Sequence, residues 1–589
     1  MPLIRRIDDQ RRLTWWLSAI LLVIAAGDAW ASRHQINPDG ISYLDLANAV
    51  FAHGIRVGAS IAWSPAYTWL VGAALELARP SRPHELLVVM VVNLLIVAVV
   101  LVAFAWWLRE LFALLRHRGA LLVLQEPILQ LLAYGVLAWA LLTEVTSGLV
   151  TPDMLLVAVG FAATAVLMRI ARRGGGSWAW LGLGVLLGLG YLVKSGFVVP
   201  ALVACAACAV LTAGGAARRI EALGLTALAC VCVAAPFVAV LSSKEGRLEL
   251  GDYGTLNYAW DVDGVTRYLN WTGWDGNFGR PVHPTLIATA PLTFAYAAPV
   301  AGSVPVWYDP SYWYEGIRPR LVLGGQARAL ASGVRTILRA VVIGPLILLL
   351  VPLLLLWRAR RRDHGRPAAD GSSPRARGWR RALRATADHA YLALAIAGIL
   401  TYLPLLVVTR YIAAYIAILA ITLFLLGCAR LARPDLPRRI VDRVALVTAL
   451  VGILSLVYAA VRPVDHVARQ LAGADAPGTS DLRVARGLTQ AGIVAGDGIA
   501  FVGDTNGVLG AYWARLDQAR VVANIDDVNG SFWRMPAAAR TGRLALLEAH
   551  SGARAVITDE PQARLATGWI RVPGTDDSYR LLGGGRSAP

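Results

Sequence analysis

Lysine is almost missing from this chain. Of its 56 basic residues among 589, only Lys194 and Lys244 are lysine, and the rest are arginine. Cysteine is scarce as well, and all five (Cys205, Cys208, Cys230, Cys232 and Cys428) fall inside hydrophobic runs. No disulfide framework can therefore form outside those runs. The Cys205-x-x-Cys208 spacing has no His or acidic partner and reads as small packing residues rather than a metal or redox pair. Nucleotide motifs are lacking too: Gly503-Asp504-Thr505-Asn506-Gly507 follows a strand-like stretch but fits neither GxGxxG nor a P-loop, which leaves turn chemistry. No small-x-small cleavage site follows the first apolar run, so a removable leader is not expected. Clear internal repeats and ionisable residues at the centres of the runs are also absent. Both absences count against a transporter or lipid flippase without bond chemistry, the alternative reading of such a chain. A non-catalytic assembly scaffold is a third. Little lysine beside much arginine, alanine and glycine points to a GC-rich bacterial genome.

What fills the chain instead is hydrocarbon, at 57% hydrophobic residues and a mean hydropathy of +0.56. Runs of roughly 18–25 apolar residues match a bilayer core of roughly 30 Å, and a helix satisfies its own backbone there. Such runs lie near 13–31, 86–108, 121–142, 154–171, 177–193, 197–214, 222–242, 333–357, 388–409, 411–428 and 443–461. They predict an all-α polytopic membrane protein of about eleven spans. Arginines gather in alternate gaps, which places 1–12, 109–120, 172–176, 215–221, 358–387 and 429–442 in the cytoplasm. The 358–387 loop alone carries ten arginines. It reads as a topology anchor on anionic lipid, so the net charge of +18 does not call for nucleic acid. The expected location is a bacterial inner membrane, with the function on the extracytoplasmic side.

Four parts follow from this layout. Residues 1–242 form an N-terminal membrane module whose first outer loop, 32–85, is patterned for two short helices in the interface plane. Leu44, Ala47, Val50 and Phe51 recur at helical spacing, and Ser64-Pro65 opens the second helix. Residues 243–332 are an aromatic-rich outer loop, 333–461 return to the membrane, and 462–589 read as a small extracytoplasmic α/β domain. In that domain 499–502 and 555–558 suggest buried strands, with helices near 481–493, 507–516 and 536–551.

The chemistry concentrates on the outer side. Asp39, in Asn37-Pro38-Asp39-Gly40-Ile41-Ser42-Tyr43, is either a first-turn helix carboxylate or a general base at the membrane surface. Asp28 and Asp45 are its runners-up. Glu144 and Thr151-Pro152-Asp153 occupy one short outer gap; Asp153 either starts the next helix or faces the same cavity as Asp39. Lys194, ending Tyr191-Leu192-Val193-Lys194, and Arg410-Tyr411 are cations on the side that the positive-inside pattern disfavours. Either they snorkel or they clamp a phosphate. The Trp and Tyr of the outer loop, including 271–276 and 307–316, suit a membrane belt or a cover for sugars and lipid head groups.

In this order and sidedness the motifs resemble the GT-C glycosyltransferases, among them the protein O-mannosyltransferases and the lipid A aminoarabinose transferases. The matching pieces are Pro38 to Tyr43 with Trp63-Ser64-Pro65, then Thr151-Pro152-Asp153, Tyr191 to Lys194, and Arg410-Tyr411. They cover about 1–430, most strongly 1–200. The resemblance implies an inverting glycosyl transfer from a polyprenyl-phosphate-linked donor to an extracytoplasmic glycan, lipid or protein. Asp39 and Asp153 would be the catalytic carboxylates, with Asp39 as base. Tyr43, Trp63, Glu144, Tyr191, Lys194, Arg410 and Tyr411 would contact the substrates. Lys194 and Arg410 would stabilise the departing phosphate, which makes a metal dispensable; a divalent cation between Asp39 and Asp153 is the one cofactor left open. Where many relatives carry Asp-Glu, this chain has Asp39-Gly40.

Overall fold

The computed structural model describes residues 2–583 apart from 266–277, 280–281, 284, 297–300, 343, 363–386, 435 and 505–506. The 271–276 aromatic motif, most of the arginine-rich 358–387 loop and Thr505-Asn506 therefore lie outside the described residues.

Among the described residues, seven helices are long and apolar enough to cross a membrane: Gln10–Ala31, Arg82–His117, Glu126–Glu144, Asp153–Arg173, Ala216–Glu245, Thr409–Leu431 and Arg438–Leu471. An eighth crossing is available if Leu323–Val342 and Pro345–Arg361, bent by 61° at their junction, make one broken span. The remaining apolar helices, Ser177–Val193, Ser195–Leu211 and Ala390–Tyr402, have 10–17 residues. Each run expected to span thus contains helix among its described residues. Reaching about eleven crossings would require three helices shorter than the roughly 20 residues a bilayer asks for.

Three pairs of helices pack side by side and, within each pair, run in the same direction. Glu85–His117 lies along Asp153–Arg173, Ser177–Val193 along Ala216–Glu245, and Glu126–Trp139 along Arg438–Leu471. The second pair comes close because Gly184 has no side chain: a Cβ there would sit 2.3 Å from the Thr226 carbonyl oxygen. Small residues at such crossings are the usual means of association where lipid, as apolar as leucine, provides no hydrophobic drive.

The first outer loop folds into Pro38–His53 and Pro65–Ala78, with a single turn at Ile55–Gly58 between them. Proline in the first turn presets φ at the start of both helices. Residues 40–47 are buried on every side, unlike a helix floating with one wet face. The cause is the 301–314 segment, which closes over them: the Ser42 hydroxyl donates to the Trp307 carbonyl at 2.9 Å and the Trp63 indole donates to the same oxygen at 3.1 Å.

A seven-stranded sheet completes the molecule, in the order β1-β2-β4-β3-β5-β7-β6. Its strands are β1 (Thr285–Thr289), β2 (Leu292–Ala295), β3 (Gly498–Gly503), β4 (Arg520–Asp526), β5 (Ala555–Thr558), β6 (Ile570–Arg571) and β7 (Ser578–Leu581). β4, β3 and β5 run parallel, and the flanking pairs are antiparallel. The two strands read in the sequence are β3 and β5, and the helix Ala537–Ser551 is the crossover from β4 to β5. β1 and β2 come from the aromatic outer loop, so that loop and the tail share one sheet.

Candidate active site

Four turns at the helix ends carry the acidic and basic residues, and polar side chains tie these turns to one another. Asn37, just before the Pro38–His53 helix, accepts from the Val150 amide at 2.9 Å, which fixes the Asp39 turn against the Asp153 turn. Ser64, at the start of Pro65–Ala78, accepts from the Ser195 amide at 2.9 Å and thereby holds the Lys194 turn. The third span ends in a π-helical turn, Ala140–Glu144, and Glu144 hydrogen-bonds to Thr409 beside Arg410. Wider turns of this kind recur at functional positions.

The result is one cluster of four charges. The Arg410 guanidinium bridges the two carboxylates, with Nη2 2.6 Å from Asp39 Oδ2 and Nε 3.1 Å from Asp153 Oδ2. Lys194 Nζ donates to the other oxygen of Asp153 at 2.7 Å. The Nε–Oδ2 approach is close but not aligned as a hydrogen bond, so both atoms keep unused bonding capacity. Asp153 is 1% exposed, whereas the side chains of Asp39, Arg410 and Lys194 are each about one-fifth exposed. The cluster is neutral, reachable from outside, and incompletely bonded.

Backbone electrostatics make Arg410 the least comfortable member. It is the second residue of Thr409–Leu431, where the helix dipole favours anions, and Asp39 and Asp153 offset that penalty. Asp153 is better placed, in the first turn of its own helix. Lys194 follows the last residue of Ser177–Val193 and sits over the Tyr411 ring at 3.2 Å, with Tyr402 at 6.0 Å. Such a cation–π contact contributes up to about 2 kcal/mol when desolvated. Tyr402 was not among the residues singled out from the sequence, since a tyrosine ending an apolar run looks like any belt aromatic.

Tyr43 and Trp63 form the wall on the Asp39 side. Their rings meet edge to face at 5.3 Å, and Trp63 continues onto Trp307 at 5.5 Å and Tyr253 at 5.7 Å. Burial, reinforced by Asp39 and Asp153, pushes the Tyr43 phenol well up, so it stays protonated. Tyr191 stands apart: its hydroxyl donates to the Leu250 carbonyl at 3.0 Å, and it packs with Ile61 and Phe237, away from the charges.

Of the runners-up, Asp45 turns to a different partner. It pairs with Arg515 of the C-terminal domain at 2.6 Å and accepts from the Ser303 amide at 2.6 Å. Asp28 accepts from the Ser147 hydroxyl at 3.2 Å and the Gly148 amide at 3.3 Å, and it faces His466 at 3.9 Å. A second acid directly after Asp39 has no room here. A Cβ at Gly40 would fall 2.6 Å from Ile36 Cγ1 and 2.7 Å from Val150 Cβ.

For a divalent cation the donor set fits poorly. Arg410 already occupies the space between Asp39 and Asp153, and no group of three or more His, Cys, Asp or Glu converges among the described residues.

No protein-family model matches the chain, and no curated protein matches it. Solved structures similar to it include ArnT from Cupriavidus metallidurans bound to undecaprenyl phosphate, at 14% identity over 98% of each chain with a TM-score of 0.48. AglB, the archaeal oligosaccharyltransferase of Archaeoglobus fulgidus, in complex with an inhibitory peptide and a dolichol-phosphate, is similar at 14% identity, 92% of this chain, 69% of that chain and a TM-score of 0.46. The apo form of the Archaeoglobus fulgidus enzyme gives 12% identity over 92% and 69% of the two chains, with a TM-score of 0.44.

Proposed function

We propose that this chain is an integral membrane glycosyltransferase that moves a sugar from a polyprenyl-phosphate-linked donor to an extracytoplasmic acceptor, with inversion. The observation that carries this reading is the bridge of Arg410 between Asp39 and Asp153, with Lys194 on the second oxygen of Asp153. Two cations gathered against the positive-inside bias, beside a carboxylate and within reach of both lipid and water, suit a phosphate leaving group.

Each residue then has a task. The acceptor hydroxyl attacks the anomeric carbon while Asp39 takes its proton. The bond from that carbon to the phosphate oxygen breaks, and the electron pair stays on the lipid phosphate. Lys194 and Arg410 stabilise that charge as it develops, the kind of term that usually dominates such catalysis. Asp153 holds both cations in place, and the rings of Tyr43 and Trp63 keep the site dry on the acceptor side. The Asp39–Arg410 pair gives the order of events: a donor phosphate competes with Asp39 for the guanidinium, so binding of the donor frees the base. The site would face the periplasm from the bacterial inner membrane.

The test is sugar transfer or release from a panel of polyprenyl-phosphate sugars by the purified full chain, with Asp39→Asn beside it. Turnover should fall by about 10²–10⁴ in the variant, the usual share of a general base. Equal turnover by both proteins would remove Asp39 from the mechanism. No turnover with any donor would remove the transferase reading.

A further inference from the structure

A cavity with charged residues in its wall lies beside the Pro38–His53 helix, between it and the C-terminal domain. It measures about 240 Å³ and is lined by Asp45, Asn48 and His53 from that helix, by Arg82 and Tyr308, and by Arg515, Gln518 and Arg520 from the domain. Charge accounting shows what it lacks. Arg515 spends its donors on Asp45 Oδ1 at 2.6 Å and on both oxygens of Glu85 at 2.8 and 2.9 Å. Arg82 adds to Glu85 at 3.1 Å. Those two carboxylates are thus matched by two guanidinium groups. Arg520 is left over: it is exposed on the rim and makes no ion pair among the described residues.

Two further observations concern residues of the same wall. Tyr308 is 6% exposed, and its hydroxyl has no hydrogen-bond partner among the described residues. A buried phenol of this kind costs about 1–3 kcal/mol unless something completes it. Gln518, also on the rim, has a left-handed backbone at φ +55°, one of two non-glycine residues so placed among those described. Strain of this sort gathers where a ligand is clamped.

We propose that this cavity is a subsite for an oxyanion, a phosphate or carboxylate carried by the acceptor, held by Arg520 and Arg82 with the Tyr308 hydroxyl donating to it. The acceptor role rests on the transferase reading; the anion binding does not. Asp45 and Asp39 share one helix, so the cavity wall at Asp45 lies about 9 Å along the axis from the proposed base. Such a separation suits an acceptor whose charged group is not the one that reacts.

The experiment is calorimetric titration of the full chain in detergent with inorganic phosphate and, separately, with a short-chain phosphatidic acid. Variants are Arg520→Gln, Tyr308→Phe and Lys194→Gln, each checked for an unchanged melting temperature. Saturable binding that weakens tenfold or more in Arg520→Gln and about threefold in Tyr308→Phe, but persists in Lys194→Gln, is the expected result. Weakening of both ligands assigns a free anion, and weakening of phosphatidic acid alone assigns a lipid head group. Binding that survives Arg520→Gln and disappears in Lys194→Gln would place the anion at the donor clamp and overturn the proposal, as would absence of saturable binding. Absence of sugar transfer by the unsubstituted chain with every donor, with Arg520-dependent binding intact, would sink the transferase reading and leave the anion site standing.

Discussion

Two ion clusters hang on one helix, six residues apart, and they are built to opposite standards. At Asp45 the charges are shut away: the side chains of Arg515, Glu85 and Asp45 are 2%, 3% and 7% exposed, and the guanidinium reaches four acceptors. At Asp39 three of four side chains are one-fifth open, and one carboxylate oxygen and the Arg410 Nε lack a well-aligned hydrogen bond. A saturated cluster has nothing left to offer a ligand. An unsaturated one that is also held in place by Asn37, Ser64 and Thr409 can exchange a partner without losing its shape. Saturation, more than burial or residue type, separates the lock from the site.

The most forceful way to break the comparison is to open the lock. Arg515→Met leaves Asp45 buried without a cation and Glu85 with Arg82 alone, which should cost about 3–5 kcal/mol. A large drop in the melting temperature of the full chain would show it. Adding Asp45→Asn and Glu85→Gln to that variant should recover most of the loss, since replacing a whole buried ion cluster is often near neutral. Lys194→Gln probes the other cluster. Asp153 keeps Arg410, so stability should hardly move, while kcat with a lipid-linked donor should fall by about 10²–10³. A variant that unfolds instead would mean the open cluster is a lock as well.

The contrast was only half legible in the sequence. Asp39, Asp153, Lys194 and Arg410 stood out because each breaks a membrane rule: acid or cation, at a span end, on the outer side. Asp45 broke the same rule, so sequence left it a rival of Asp39. Its partner Arg515 is 470 positions away in the numbering, within Tyr512-Trp513-Ala514-Arg515, where nothing local announces a buried charge. β4 was missed for a related reason. Its Val521-Val522-Ala523-Asn524-Ile525 run is interrupted by an asparagine, which is fully buried here because the Tyr296 hydroxyl beyond the end of β2 hydrogen-bonds to it. Tyr191 shows the converse: a span-end position made it a candidate, but its hydroxyl is used by Leu250.

A smaller effect is expected at Gly40, which lies between the two clusters. A methyl group there meets Ile36 and Val150 below 3 Å, and overpacking of that kind costs about 1–3 kcal/mol. Because Val150 is also the anchor of Asn37, the strain should reach the Asp39 turn. Gly40→Ala should therefore lower kcat about tenfold, near the lower end of that range in rate terms, with KM for the donor little changed. Full activity in a variant of reduced stability would uncouple the turn from the site.

The gentlest test uses a third acidic group, on the side of the Tyr512–Leu516 turn away from the lock. Asp481 accepts from the Trp513 amide at 3.2 Å, yet burial pushes its carboxyl up to about 7, and Asp577 beside the same cavity is pushed to about 6. An acid raised in the folded state binds its proton more tightly there than in the unfolded chain. The folded form is therefore favoured at low pH, and that advantage fades as pH climbs from the ordinary carboxylate value toward 7. Replacing the acid with its neutral analogue should remove the penalty where it is present and do nothing where it is absent. Asp481→Asn should raise the melting temperature by about 2 °C at pH 8 and leave it unchanged at pH 4. The amide oxygen can still accept from Trp513, so the hydrogen bond is conserved and the charge alone is tested. A shift of the same size at both pH values would show that packing, not ionisation, sets this flank apart from the lock.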